Sequence, residues 1–252
     1  MTSEQVFIGI PILNRADLLE RCLDQIDHPA HVLVVNNNSV HPGFNGRLHR
    51  LARQRGFELS DQPRNLGVAA SWNLIVRTAL ERGFDLVFIG SNDTLLYPGS
   101  LAAVLALDKQ QDEVVWHIQG WNFFAVHRRA VDLVGWFDEN FYPAYKEDQD
   151  YSYRCLLAGV KRIGVRGTGA DHLGSQTIRS DAGYSACNRD THLRLNTAYY
   201  CAKWGGDSGQ ECYATPFGYP DRDWRWWPDP GPSIAERDWD RDRRPAAWRH
   251  GD

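Results

Sequence analysis

Short apolar runs alternate with amphipathic stretches along the first half of the chain, and this alternation narrows the available folds more than any other feature. Val6-Phe7-Ile8-Gly9-Ile10-Pro11 reads as a buried strand ended by proline. Residues 15–27 follow with Leu18, Leu19, Cys22, Leu23 and Ile26 at helical spacing. Residues 31–35 form a second apolar run that stops at Asn36-Asn37-Asn38-Ser39. Residues 68–82 are again helical, residues 85–90 a strand that ends at Ser91-Asn92-Asp93, and residues 99–107 a helix opened by Pro98. Strands that alternate with helices imply βαβ units, hence an α/β fold with a mostly parallel central sheet flanked by helices. Ligands of such sheets gather at the carboxyl ends of the strands, where both polar clusters lie.

The second half changes character. Trp121-Asn122-Phe123-Phe124-Ala125-Val126 is strand-like, residues 129–134 a short helix, and residues 150–158 a helix stopped by Gly159. Residues 162–165 form a further strand leading to Asp171-His172, and residues 189–204 a helix. From about Gly205 the composition shifts: five of the ten tryptophans and six of the twelve prolines fall there, among densely mixed Asp and Arg. Five tryptophans are unusual in a disordered tail, so this aromatic-rich C-terminal extension is expected to wrap over the main domain or a second subunit, leaving a homo-oligomer open. The expected organisation is one domain over 1–204, in two halves of about 1–110 and 111–204, with the extension at 205–252.

Bulk properties exclude little but help. A formal charge of −4 argues against a chain held on nucleic acid by bulk charge. No apolar run reaches the roughly 20 residues that span a bilayer, and the N-terminus has no secretory pattern. Five scattered cysteines without CxxC spacing fit a reduced, cytoplasmic protein with no structural zinc.

Four constellations carry candidate chemistry, each with an ordinary structural reading beside it. Ser91-Asn92-Asp93 ends a strand, where a carboxylate can hold a divalent cation against a diphosphate or form an Asn-Asp turn. Asp171-His172 is a loop pair, or, brought to Asp93 in space, the imidazole of a Mn²⁺ or Mg²⁺ site. Glu147-Asp148-Gln149-Asp150 complements a helix dipole, yet Tyr142, Pro143 and Tyr145 build an aromatic loop directly before it, and a carboxylate held there can accept a hydroxyl proton. Asn36-Asn37-Asn38-Ser39 either satisfies a turn or reads a nucleobase edge. The stretch 64–73 enters a helix whose first amides can face a ligand.

Taken together and in order, Ile10-Pro11-Ile12-Leu13-Asn14-Arg15, Val34-Val35-Asn36-Asn37-Asn38-Ser39, Asn65-Leu66-Gly67-Val68-Ala69, Ser91-Asn92-Asp93, Gly135-Trp136-Phe137-Asp138-Glu139, Glu147-Asp148-Gln149-Asp150 and Asp171-His172 resemble the family 2-like glycosyltransferases of the GT-A fold, over residues 6–204. The resemblance implies an inverting transfer of a sugar from a nucleotide-diphosphate sugar, UDP favoured, to an acceptor hydroxyl on a glycan, a natural product or a modified nucleic-acid base. It implies donor binding by Pro11, Asn14, Arg15, Asn36, Asn38, Asn65, Gly67, Ser71 and Asn92. A divalent cation (Mn²⁺ or Mg²⁺) would sit at Asp93 and His172. Asp148 would be the general base, with Glu147 its rival. Trp121, Tyr145, Trp224, Trp226 and Trp227 would face the acceptor. Two departures stand out: Asn36 where the family often has Asp, and Ser91 for the first acid of the metal motif. A nucleotide-sugar binder without turnover and a sugar nucleotidyltransferase are the alternatives, although Pro11-Ile12-Leu13-Asn14-Arg15 is not the glycine-rich loop of the latter.

Overall fold

Strand β1 (Val6–Ile12) is buried along almost its whole length, as an apolar run without polar alternation requires when both faces of a sheet are covered. The computed structural model describes residues 6–38, 43–174 and 193–220; Ser39, Trp224, Trp226 and Trp227 lie outside them. β1 pairs in parallel with β2 (Ala30–Asn36) on one side and β4 (Leu86–Gly90) on the other. β3 (Glu58–Asp61) extends the parallel set beyond β2. Past β4 the sheet turns antiparallel through β7 (Phe123–His127) and β6 (Glu113–Gln119), and β8 (Lys161–Gly164) closes that edge parallel to β6. The strand order is β3-β2-β1-β4-β7-β6-β8, and β5 (Thr94–Leu96) pairs with β9 (Ala170–His172) in a separate antiparallel ribbon.

The period-2 alternation of β1 divides the core. Ile8, Ile10 and Ile12 face α1 (Ala16–Leu23), α2 (Phe44–Arg55) and α4 (Ser100–Leu105), in one cluster with Leu19, Leu48 and Leu101. Phe7 faces the other side, with α3 (Gly67–Glu81), α5 (Arg128–Leu133) and α6 (Glu147–Leu157) contributing Ile75, Ala130 and Tyr151. Gly9 shares that face for a steric reason: a Cβ there would come within 2.1 Å of the Ile75 side chain, so its absence lets α3 lie close on β1.

Local boundaries differ from the expectations where backbone bonding decides them. Helix α1 stops at Leu23, because Gln25 and Ile26 donate to the carbonyls of Cys22 and Leu23, three residues back, which tightens the end into turns. Helix α6 opens at Glu147 rather than Asp150, so the whole acidic run forms its first turn. It ends as expected at Gly159, whose φ of 68° suits a residue without Cβ. Helix α2 and strands β3 and β6 escaped the periodicity reading. Only Phe44, Leu48 and Leu51 are buried in α2, among arginines, and β3 is a four-residue edge strand.

Beyond β9 the described chain resumes at Leu193 and runs through α7 (Arg194–Trp204). Tyr199, Tyr200 and Trp204 form a small third core with Phe141. Residues 205–219 stay on this surface: the N–H groups of Cys212 and Tyr213 both donate to Trp204 O at 2.9 Å, and Tyr153 Oη donates to Tyr213 O at 2.9 Å.

Candidate active site

The carboxyl ends of β1, β2 and β4 open into a cavity of about 630 Å³, the position at which open α/β sheets take ligands. Pro11, Ile12 and Leu13 come from the end of β1, Asn37 from β2 and Asn65 and Gly67 from the start of α3. Ser91, Asn92 and Asp93 follow β4, and His172 ends β9. The opposing side is formed by residues 143–149 with Leu193 and Thr197 of the α7 region, and Trp72 and Trp121 line the apolar part.

On the β2 wall the strand's alternation decides which asparagine is available. Asn37 shares the α3 face with Val35; its Oδ1 accepts from Leu66 N at 3.0 Å and its Nδ2 donates to Ser71 Oγ at 3.0 Å. Asn36 points to the α2 face, where its Nδ2 donates to Asp61 Oδ1 (2.7 Å) and Asn45 Oδ1 (3.1 Å). It is 2 % exposed and does not line the cavity. Ser71 is fully buried, its hydroxyl donating to Gly67 O at 2.6 Å, so it holds α3 to β2 and has no surface for a ligand. The start of α3 likewise departs from the expectation of free amides. Leu66 N is taken by Asn37, Gly67 N by Asn65 Oδ1 (2.9 Å) and Val68 N by Pro143 O (2.7 Å). Gly67, at φ 75°, is the only residue type that fits: a Cβ there would lie 2.8 Å from Pro143 O.

Asn14 and Arg15 both take left-handed conformations (φ 53° and 81°). The Arg15 guanidinium makes a two-bond pair with Asp17 at 2.9 and 2.7 Å, and neither residue lines the cavity. Asn38 is exposed outside it.

The turn after β4 and the end of β9 are brought together by the β5–β9 ribbon, which pairs Thr94 with His172. His172 Nε2 stands 3.2 Å from Asp93 Oδ1, and Ser91 Oγ donates to the same oxygen. Asp93 is 3 % exposed. One carboxylate and one imidazole suit a hard or borderline divalent cation. Among the described residues no group of three or more His, Cys, Asp or Glu side chains gathers. Two side chains are too few to enclose an ion, so a cation held there would need ligands from outside the protein. Asn92 is 6 % exposed and its Nδ2 has no hydrogen-bond partner among the described residues.

Across the cavity, Tyr145 and Lys146 adopt successive left-handed conformations (φ 80° and 74°) and deliver Glu147 and Asp148 at the mouth of α6. The two acids differ. Glu147 is buried, its Oε2 unpartnered among the described residues. Burial, and then the Asp148 charge, push its carboxyl well above the ordinary carboxylate range. Asp148 is less deeply set and accepts from Gln149 N at 2.8 Å. Burial raises its pKa, while the Gln149 N–H and the cations Lys146 and Arg162 pull against that rise. Of the two acids, Glu147 is thus the more reluctant to ionise and Asp148 the more readily ionised.

A fully buried ion network, unforeseen from sequence, anchors this mouth. Lys203 Nζ of α7 donates to Asp150 Oδ1 (2.6 Å) and Asp138 Oδ2 (2.8 Å). Arg154 Nε donates to Asp150 Oδ2 (2.8 Å), and Trp204 Nε1 to Asp150 Oδ1 (2.8 Å). Burial works to raise Asp150, but Lys203 and Arg154 overcome it and hold the carboxyl below its ordinary value. The Gly135–Glu139 motif is structural as well: Asn73 of α3 donates to Phe137 O (2.9 Å) and Glu139 Oε1 (3.0 Å), and accepts from Phe137 N (2.9 Å).

Of the residues singled out from sequence, Pro11, Asn65, Gly67, Asn92, Asp93, Trp121, Tyr145, Glu147, Asp148 and His172 line one cavity. Asn14, Arg15, Asn36, Asn38 and Ser71 do not. Asn37, Trp72, Lys146, Gln149 and Thr197 line it without having been foreseen. Alternation along β2 was the available signal for Asn37; the others depend on how distant segments pack.

No family model matches the chain. A 108-residue segment, 42% of the chain, is 36% identical to a galactofuranosyl glycosyltransferase of Leishmania donovani, of which it spans 23%. Among solved structures, the chain is similar to the mannosyltransferase PcManGT from Pyrobaculum calidifontis in complex with GDP-Man and Mn²⁺ (TM-score 0.54, 20% identity, 79% of this chain and 62% of that one). It is similar also to S. aureus TarS with UDP-GlcNAc (0.53, 13%, 73% and 67%). A Drosophila β-1,4-galactosyltransferase 7 mutant with manganese, UDP-Gal and xylobiose gives 0.50 at 12% identity, over 70% of this chain and 73% of that one. The chain thus has the GT-A glycosyltransferase fold.

Proposed function

We propose that this chain transfers a sugar from a nucleotide-diphosphate sugar, with UDP the favoured nucleotide, to an acceptor hydroxyl, with inversion at the anomeric carbon. The observation that carries the reading is the convergence of the Asp93–His172 pair and the Glu147–Asp148 pair on one cavity at the strand ends. The galactofuranosyl glycosyltransferase similarity and the nucleotide-sugar complexes of the structural neighbours support the same class.

In this scheme the donor diphosphate lies toward Asp93 and His172, which would hold a divalent cation; when bound, that ion neutralises charge on the leaving diphosphate. Asn37, Asn65 and the β1 end, Pro11 to Leu13, border the nucleotide side of the cavity. Trp121 and Tyr145 offer the acceptor an aromatic surface. Asp148 removes the acceptor hydroxyl proton as that oxygen attacks the anomeric carbon, and the bond to the diphosphate oxygen breaks on the opposite face. Glu147, the more reluctant of the two acids to ionise, lines the same cavity beside it. The buried position of the acids raises their basicity and strengthens each contact to the reacting groups.

A thermal-shift screen of UDP, GDP and their sugars, with and without Mn²⁺, followed by NMR of the product anomer, tests this. Stabilisation by one nucleotide, enhanced by Mn²⁺ and lost in Asp93→Ala, is expected. In Asp148→Asn donor binding should persist while kcat falls by about 10² or more. A retained anomeric configuration, or no stabilisation by any nucleotide at millimolar concentration, overturns the reading.

A further inference from the structure

We propose that Asp207, in the turn after α7, holds the Lys146 ammonium away from the Asp148 carboxylate and so keeps that carboxylate free to act. The role of Asp148 rests on the sugar-transfer reading above; the arrangement of charges rests on geometry alone.

Lys146 immediately precedes the two acids and lines the same cavity. It is 9 % exposed, and a lysine so placed needs a partner, since an unpaired buried ammonium is costly. Its Nζ lies 2.6 Å from Asp207 Oδ1 and 5.3 Å from the Tyr200 ring centroid. This direction is imposed by the backbone. The successive left-handed conformations of Tyr145 and Lys146 turn the chain, and Asn196 Nδ2 of α7 fixes the turn by donating to Ala144 O (2.7 Å) and Tyr145 O (3.2 Å).

Asp207 is equally well placed. Its Oδ1 also accepts from Ser208 N at 2.7 Å and its carbonyl accepts from Gln210 N at 2.7 Å. The turn is tied to the end of α7 through Trp204 O and to α6 through Tyr153. Around Asp148 stand its chain neighbour Glu147, whose carboxyl feels the Asp148 charge, the Gln149 N–H, Lys146, and Arg162 of β8, which itself donates to Ser152 Oγ at 2.8 Å. Those that bear on Lys146 are Asp207 and Tyr200, whose hydroxyl is held by Glu211. Remove the Asp207 charge and the acids closest in the chain to Lys146 are Glu147 and Asp148. A direct pair with Asp148 would place an ammonium on the oxygen that has to receive a proton. A segment outside the strand–helix framework therefore sets the state of the base.

The test is a ¹³C NMR titration of the Asp148 carboxyl in the full chain, assigned by its loss in Asp148→Asn. Asp207→Asn keeps an amide oxygen for the Ser208 N–H, and so the turn. In this variant the Asp148 midpoint should fall by about one pH unit or more, the effect of an opposite charge at close range. Lys146→Met combined with Asp207→Asn should return it to the wild-type value or above, and Lys146→Met alone should move it by less than Asp207→Asn does. In parallel, kcat should drop about tenfold in Asp207→Asn and rise again in the double variant. An unchanged midpoint in Asp207→Asn, or the same fall in single and double variants, overturns the proposal. A wild-type chain without sugar transfer overturns the proposed function instead, and the titration still decides the charge arrangement.

Discussion

The two walls of the cavity rest on different physics. On the β1–β2–α3 side the polar contacts are neutral: Asn37, Asn65, Ser71 and backbone amides close the βα turns on one another. On the α6–α7 side the acids are positioned by ions, with Lys203 bridging Asp138 and Asp150 in full burial. A neutral wall loses about 1–3 kcal/mol when one buried partner is removed; an ionic one loses more, because the surviving charge is left in a low-dielectric interior. The cavity therefore has a tolerant neutral wall and a brittle ionic one.

The sharpest way to break this contrast is Lys203→Met. It leaves Asp138 and Asp150 buried without their shared cation and should cost about 3–5 kcal/mol, read as a urea midpoint. A loss under 1 kcal/mol would mean that the network contributes no more than the neutral wall. A smaller effect is expected from Gly67→Ala, about 1–3 kcal/mol, since the φ of 75° and the contact with Pro143 O both oppose a Cβ. Because that contact joins the two walls, nucleotide affinity should fall along with stability; unaltered affinity would show that the walls are independent.

The smallest effect should come from Glu147→Gln, and it sharpens the comparison through pH. The folded-state pKa of Glu147 lies above its unfolded value. Between the two the unfolded chain releases a proton that the folded chain keeps, so stability falls as pH rises through that window and is flat beyond it. The variant lacks this loss, and its melting temperature should exceed wild type at pH 8 by a few degrees, about 2–4 °C for each kcal/mol. At pH 4 the two should melt alike. Equal melting at both values would mean that Glu147 is not desolvated.

The two walls also differ in how far local sequence patterns reveal them. The neutral wall follows from patterns that repeat over a few residues: apolar runs, strand-end asparagines and a glycine at a helix start. Even there, one register step separates Asn37, which lines the cavity, from Asn36, which is bound to Asp61 and Asn45. On the ionic wall, Asp138, Asp150 and Lys203 look like ordinary helix-end and surface charges. Nothing local distinguishes a lysine that will be fully buried from one that will be solvated. The pairing joins positions 53 and 65 residues apart, and only packing of α7 against α6 creates it.

The sequence by itself determined the α/β alternation, the parallel sheet and the end of the strands where polar residues collect, because strand and helix periods and the chirality of βαβ connections are local constraints. It also marked Asp93, His172, Glu147 and Asp148 as chemically notable. The tertiary structure decided that these four share a cavity, which asparagine reaches it, and that Lys146 is turned toward Asp207. Each of those outcomes depends on distances between segments far apart in the chain, and electrostatic and steric energies change steeply over the few ångströms that only packing sets.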